Sequence, residues 1–373
     1  MKKLNISIKK DKDIYSILIG KKIINLLPNK IRNVCPNAKN IAIIIDKNVP
    51  KKIKNKILSS LKKYKIFKYE LKPSEKIKNM NTVNFIVNKL ISNNFKRNDL
   101  VISIGGGILG DISSFAASIF KRGLNFINVP TTFLAQVDSS IGGKTGVNTS
   151  FGKNLIGTFY QPRLVLIDVQ FLLSLKKKEI ICGYAEILKH GIINDKNFFN
   201  WLRLNSKKIL IDKDLDKLSF AIKKSCEIKK NFVVKDYNEK SLRKSLNFGH
   251  TFAHAIEAGS KYSGSLNHGE AVLVGMMLAA QLSYRKKICS LKTVEELKSI
   301  YRSNNLDHYL KNKFRFKKIP SLLKFMKRDK KNEDNLISLI LLKKIGQTTK
   351  PDSFKISEKA LKKELKILSN FNF

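Results

Sequence analysis

The sequence predicts an α/β N-terminal domain built on a parallel, Rossmann-like sheet, followed by an all-helical C-terminal domain. Three observations carry this reading. Short apolar runs alternate with helical patterns as far as Asp168. A glycine-rich turn joins one of these runs to a helix of small residues. From Lys178 onward strand signals nearly vanish and helical periodicity takes over. Strand and helix in alternation call for a parallel sheet covered on both faces. A chain of 373 residues also exceeds what one ordinary core accommodates. The expected domains are residues 1–177 and 178–373, with the boundary near Leu175–Lys178.

The opening stretch MKKLNISIKKDKDIYSILIG alternates polar and apolar residues and reads as a first strand pair, not as a signal peptide. NIAIIID (Asn40–Asp46) is a short apolar run ending in a polar turn, as a buried parallel strand requires. KIFKYELK (Lys65–Lys72), DLVISIGGG (Asp99–Gly107), NFINVP (Asn125–Pro130) and RLVLID (Arg163–Asp168) are further strands, with helical patterns such as Asn81–Asn93 between them.

Composition excludes several classes. Hydrophobic residues make up 43% of the chain, enough for large cores. No apolar run approaches the roughly 20 residues of a membrane helix, so a soluble, cytoplasmic protein with no membrane partner is expected. The four cysteines, Cys35, Cys182, Cys226 and Cys289, stand too far apart for a zinc ribbon or a small disulfide framework. The formal charge of +44 comes from lysines spread from Lys2 to Lys366 with no dominant block. Nucleic-acid binding leaves a clustered footprint. Lysine, isoleucine and asparagine are abundant together, as coding bias in an AT-rich genome produces, and no specific nucleic-acid partner is expected.

The glycine-rich turn ISIGGGILGDISSFAASIF follows a strand and opens a helix, and Gly105, Gly107 and Gly110 make G-x-G-x-x-G. Such glycines let the backbone approach a pyrophosphate at a helix N-terminus. A tight turn with no ligand uses the same residues. The motif comes after several strands, and no Asp stands about 20 residues further on. Asp46 and Asn48, at an earlier strand end, offer a carboxylate and an amide for ribose hydroxyls instead.

Three of the five histidines, His250, His254 and His268, crowd into LNFGHTFAHAIEAGSKYSGSLNHGE (Leu246–Glu270). His250 and His254 are spaced i, i+4 and share a helix face about 6 Å apart along the axis. Position 251 is Thr, so the glutamate of H-E-x-x-H is missing. GYAEILKHG (Gly183–Gly191) places Glu186 and Lys189 one turn apart on another helix. Two imidazoles and a carboxylate with an open position make a catalytic divalent site. Satisfied core histidines or helix caps are the plain alternative, and spacing does not say which two histidines would bind.

Seven blocks in order, PSEKIK, GGGILGD, KRGLNFINVPTTFLAQVDSSIGGKTGVN, GKNLIGTFYQP, GYAEILKHG, LRKSLNFGHTFAHAIE and LNHGEAV, resemble the 3-dehydroquinate synthase family. The resemblance implies conversion of 3-deoxy-D-arabino-heptulosonate 7-phosphate to 3-dehydroquinate and phosphate, the second step of the shikimate pathway. Transient oxidation by NAD, phosphate elimination, re-reduction, ring opening and an aldol closure make up the reaction, with zinc or cobalt bound. A related sugar-phosphate cyclase and a metal- and NAD-dependent polyol dehydrogenase are the alternatives.

Carried onto this chain, the resemblance implies Glu186, His250 and His268 as metal ligands, with His254 as a proton-transfer group. For NAD it implies Asp46, Asn48, Glu75, Lys78, Gly107, Ile108, Leu109, Gly110, Asp111, Thr131, Thr132, Lys144 and Lys153. Asp138 is expected to hold a substrate hydroxyl. Asn154, Lys189, Lys229 (or Lys230), Arg243, Asn247 and Lys330 (or Lys331) are expected around carboxylate and phosphate. Arg122 is expected to reach the active site of a neighbouring subunit, which implies a homodimer.

Overall fold

The computed structural model describes residues 1–8, 13–259, 267–309, 319–327 and 336–368. In chain order the elements are β1 (Lys2–Ile8), β2 (Asp13–Gly20), α1 (Leu27–Val34), β3 (Asn40–Asp46), α2 (Lys51–Ser60) and β4 (Lys65–Leu71). There follow α3 (Met80–Ser92), β5 (Leu100–Gly105), α4 (Gly107–Ile119), β6 (Asn125–Pro130), a hairpin of β7 (Val147–Thr149) and β8 (Gly152–Ile156), and β9 (Leu164–Asp168). Helices α5 (Lys177–Asn194), α6 (Lys196–Leu210), α7 (Leu215–Lys235), α8 (His250–Gly259), α9 (His268–Arg285), α10 (Leu291–Ser303) and α11 (Ile319–Lys327) come next. The chain closes with β10 (Leu336–Ser338), β11 (Leu342–Lys344), β12 (Gln347–Thr348), β13 (Lys355–Ser357) and α12 (Glu358–Leu368). No described helix is long and apolar enough to cross a membrane.

The chain divides into two compact units, Met1–Glu179 with Leu215–Asn238, and Ile180–Asp214 with Glu239–Phe373. The first is built on a seven-stranded sheet of order β1-β2-β9-β6-β5-β3-β4. All its pairings are parallel except β1 with β2. Alternation explains the two-sided core. Ile41, Ile43 and Ile45 of β3 point to one face, among Leu27, Ile31 and Ile57 of α1 and α2. Ala42 and Ile44 point to the other, among Val83, Ile86, Ile112 and Phe115 of α3 and α4. A strand buried on both faces reads as a continuous apolar run, which is why NIAIIID lacks polar alternation. Asp99, just ahead of β5, accepts the backbone N–H of Lys96, Lys39 and Asn40 and the Asn40 amide, fastening the start of β5 to that of β3.

Two features of this unit go beyond the sequence reading. Helix α7 belongs to it, packing on β1, β2 and the π-helical turn Ala135–Ser139, so the chain returns after leaving through α5 and α6. The β7–β8 hairpin is short, with only Val147 buried, and carries no apolar alternation to announce it.

The second unit is helical, with two small ribbons, β10 with β13 and β11 with β12. These strands are too short to leave a period in the sequence. Helix α9 is buried along Gly269–Ser283 and packs against α8, α10 and α12. Its closest crossing is with the start of α8, where a Cβ on Gly275 would stand 2.1 Å from the Gly249 carbonyl oxygen. Gly249 has φ +77°, so it meets both a backbone and a steric demand that only glycine satisfies. At its N-terminus α9 lies against α5, a Cβ on Gly269 falling 2.3 Å from the Cys182 Cα. Small residues thus bring α9 close to both α8 and α5.

Candidate active site

In the first unit, β3 pairs with β4 on one side and with β5 on the other. The chain therefore changes direction across the sheet between β3 and β5, the position where open α/β sheets receive ligands at their carboxyl ends. Asp46 ends β3, and a Cβ on Gly105, which ends β5, would lie 3.3 Å from the Asp46 Cβ. Thr131, after β6, donates its N–H to the Gly105 carbonyl at 2.9 Å. Gly107, Ile108, Leu109, Gly110 and Asp111 form the start of α4 directly beyond. Thr132 and Ser139 flank that turn, within 3.0 Å and 2.7 Å of where Cβ atoms on Gly106 and Gly107 would sit. Asp46 is buried and accepts the Asn48 N–H at 2.7 Å. Burial still pushes its carboxyl above the ordinary range.

A polar array continues from this turn. Lys78 is buried, with its ammonium 2.6 Å from Asp111 and donating to the Asn154 amide oxygen at 2.5 Å. Burial raises the Asp111 carboxyl above its usual range, with Lys78 opposing the shift. Glu75 accepts from the Asn148 amide at 2.7 Å and lies 3.4 Å from the Lys153 ammonium. Asn148 also donates its N–H to the Lys78 carbonyl and accepts from the Asn154 N–H. Asn148 thus joins the Glu75–Lys78 loop to the hairpin bearing Lys153 and Asn154, a role its place in the sequence did not reveal. Asn154 is held in the left-handed region, φ +53°.

Asp138 lies in the π-helical turn, a distortion frequent at functional sites. Lys229, buried on α7, donates to both its carboxylate and its carbonyl at 2.6 Å. Lys144 is exposed and bridges to Phe159. Arg122 is exposed too, at φ +63° in a turn where Lys121 and Gly123 also have positive φ. Lys121 pins that turn by donating to the Phe95 carbonyl at 2.8 Å.

The second unit gathers the histidines. Glu186 is fully buried on α5 and its two oxygens face different partners. Oε2 accepts from the Lys189 ammonium one turn along the helix. Oε1 is buried without a hydrogen bond, 3.4 Å from His250 Nε2 and 3.6 Å from His268 Nε2. One atom from each of the three residues falls within 4.8 Å of the others. The outer nitrogens are also engaged. His250 Nδ1 donates to the Phe248 carbonyl and His268 Nδ1 to the Glu257 carboxylate, each at 3.2 Å. Those bonds orient each ring so that its Nε2 faces Glu186.

Charge follows the same geometry. Burial opposes ionisation of Glu186, but the Lys189 ammonium and His250 outweigh it and hold the carboxyl well below its usual range. Burial, and then Lys189, lower the His250 imidazolium. Burial also opposes charge on His268, yet the carboxylates of Glu186 and Glu257 on either side of the ring push it up to about 10. His254, one turn past His250, is exposed, its ring 5.5 Å from that of His250 and 6.3 Å from that of His268. The capping box of Asn267 and Glu270 fixes the start of α9 and hence His268.

Arg243 is buried and Asn247 half-buried in the 3-10 turn Leu242–Asn247. Asn247 donates to Glu239 at 3.0 Å, and Lys244 ties the turn to Asp352 at 2.5 Å. Glu239 is a second residue the sequence reading missed; only its nearness to Arg243 and Asn247 in the chain hinted at it. Lys330 and Lys331 lie outside the described residues.

The architecture is shared with sugar-phosphate cyclases. The structure of a 2-deoxy-scyllo-inosose synthase complexed with carbaglucose-6-phosphate, NAD+ and Co2+ matches with a TM-score of 0.85 at 23% identity, covering 98% of this chain and 99% of that one. A 2-epi-5-epi-valiolone synthase from Streptomyces hygroscopicus subsp. jinggangensis, with NAD+ and Zn2+ bound, matches at 0.84 and 23%, with the same coverage. Sequence narrows the class. Residues 68–182 match the 3-dehydroquinate synthase N-terminal family model and residues 183–332 the C-terminal one. A 3-dehydroquinate synthase of Pelagibacter ubique is 49% identical over 353 residues, covering 94% of this chain and 96% of its own length. The chain belongs to the 3-dehydroquinate synthase family.

Proposed function

We propose that the protein is a 3-dehydroquinate synthase acting on 3-deoxy-D-arabino-heptulosonate 7-phosphate, with NAD and a divalent cation, zinc or cobalt, as resident cofactors. The observation that carries the reading is the buried, unbonded Oε1 of Glu186 facing two imidazole nitrogens, in a chain of this family. A buried carboxylate oxygen left without a donor is costly. One carboxylate and two imidazoles suit zinc or cobalt, so the residues fit such a cation. Glu186, His250 and His268 would hold it, and bound there it would supply Lewis acidity toward a substrate oxygen. Asp46, the turn at Gly107–Asp111, Thr131, Thr132 and the Glu75–Lys78 array would hold NAD, which supplies a reversible hydride acceptor.

The chain's own groups have these parts. Asp138 accepts a substrate hydroxyl, its carboxylate held in place by the ammonium of Lys229. Arg243, Asn247, Lys189, Asn154 and Lys330 bind the carboxylate and phosphate, hard anions suited to charge-assisted hydrogen bonds. His254, exposed beside the two ligating rings, accepts and returns a proton. Arg122 completes the site of a second copy in a cytoplasmic homodimer. Its exposed, left-handed turn supports an outward role.

The test is phosphate release from the named substrate with catalytic NAD and zinc, with NADH absorbance followed in parallel. Release without net NADH, abolished by a chelator, is the expected result. Accumulating NADH would show a dehydrogenase, and silence on this substrate with turnover of another sugar phosphate would show a different cyclase. Arg122→Ala mixed with a Glu186→Gln subunit should regain activity if the site is shared.

A further inference from the structure

We infer that Glu257 is a positioning residue for the metal centre, setting the affinity of the site for a divalent cation through the ring of His268. This rests on the proposed function only in taking Glu186, His250 and His268 as the ligands.

The two imidazoles are held differently. His250 Nδ1 donates to a main-chain carbonyl, that of Phe248, which no side-chain substitution removes. His268 Nδ1 donates to a side chain, the Glu257 carboxylate, at 3.2 Å. The Glu257 side chain is only 13% exposed, so water screens the contact little. His268 thus lies between two carboxylates, Nδ1 on Glu257 and Nε2 3.6 Å from Glu186 Oε1. An anionic acceptor at Nδ1 fixes the ring's orientation and its tautomer. It also makes Nε2 a stronger donor to a cation, as outer carboxylates on ligating histidines commonly do.

Helix geometry explains how Glu257 arrives there. His250, His254 and Glu257 are spaced i, i+4 and i+7 on α8 and share one face. The helix that supplies one ligand therefore also supplies the group that orients the other, which begins α9. The contact further links the last turn of α8 to the first residue of α9.

The test is zinc affinity of the full chain, stripped with chelator and titrated against a chromophoric competitor. Glu257→Gln keeps size and a neutral acceptor but loses the charge, and should weaken zinc binding roughly tenfold; Glu257→Ala should weaken it up to roughly a hundredfold. The ligand-field spectrum of the cobalt-loaded variants should shift, and saturating zinc should restore turnover. Zinc affinity in both variants within about twofold of the parent, well short of the usual effect of such partners, would overturn the inference. Glu186→Gln, run in parallel, separates the two readings. If it leaves zinc affinity unchanged, the ligand set itself fails. If it removes binding while the Glu257 variants bind normally, only the role of Glu257 fails.

Discussion

Replacing Lys78 with Met tests the polar array beside the glycine-rich turn. The Lys78 ammonium and the Asp111 carboxylate are 2.6 Å apart, with side chains only 8% and 19% exposed. At an effective dielectric of about 20 the attraction between them is about 6 kcal/mol, most of it offset by desolvation of the two ions. Met keeps the bulk of the stem but leaves Asp111 charged, part-buried and uncompensated. That should cost about 3 kcal/mol.

The assay is urea unfolding without ligands, comparing midpoints at constant slope. Asp111→Asn in the Lys78→Met background removes the stranded charge and should recover about 2 kcal/mol, a coupling expected of groups in contact. The pH dependence has a definite sign. Burial already holds the folded Asp111 carboxyl above its usual range, and loss of Lys78 raises it further. Between the unfolded value and that raised value the folded state binds more protons, so stability falls as pH rises. The deficit of the single variant should therefore shrink on acidification. A single variant with the parental midpoint, or a double variant no more stable than the single, would refute the argument.

Three further outcomes are expected. Gly275→Ala forces α8 off α9, because the new Cβ meets backbone 2.1 Å away. It should cost about 3 kcal/mol in thermal unfolding and weaken zinc binding, since the two helices carry His250 and His268. Asp99→Asn should lower stability at neutral pH by about 2 kcal/mol. Burial of Asp99 is outweighed by the N–H donors of Lys96 and Asn40, so its carboxyl lies below the usual range. Its contribution is present above the unfolded value and disappears as pH falls through the folded one, and the variant should converge on the parent in acid. His254→Ala should retain zinc, measured by chelator competition, while turning over slowly, because its exposed ring stands outside the converging atoms. Loss of zinc would contradict that division of the histidines.

Much of this protein was legible from its sequence by itself. The strands β5 and β9 are buried throughout and β3 and β6 at all but their first residue, and burial on both faces leaves an apolar composition that local reading detects. The glycine turn and the crowding of His250, His254 and His268 were equally plain, because steric limits and ligand chemistry restrict the residue types at those positions. Spacing alone left the ligating histidines open, and only the resemblance singled out a pair. Tertiary structure decided what depends on distance across the chain. Helix α7 returns to the first unit because its apolar face packs on β1 and β2, and an amphipathic period does not say which surface it will cover. A three-residue β7 is too short to show a period and the end of β8 is exposed, so the hairpin and the joint at Asn148 stayed hidden. The Glu257 contact of His268 was likewise undetermined. Glu186 and Glu257 lie on different helices, and only packing brings a carboxylate to each of its nitrogens.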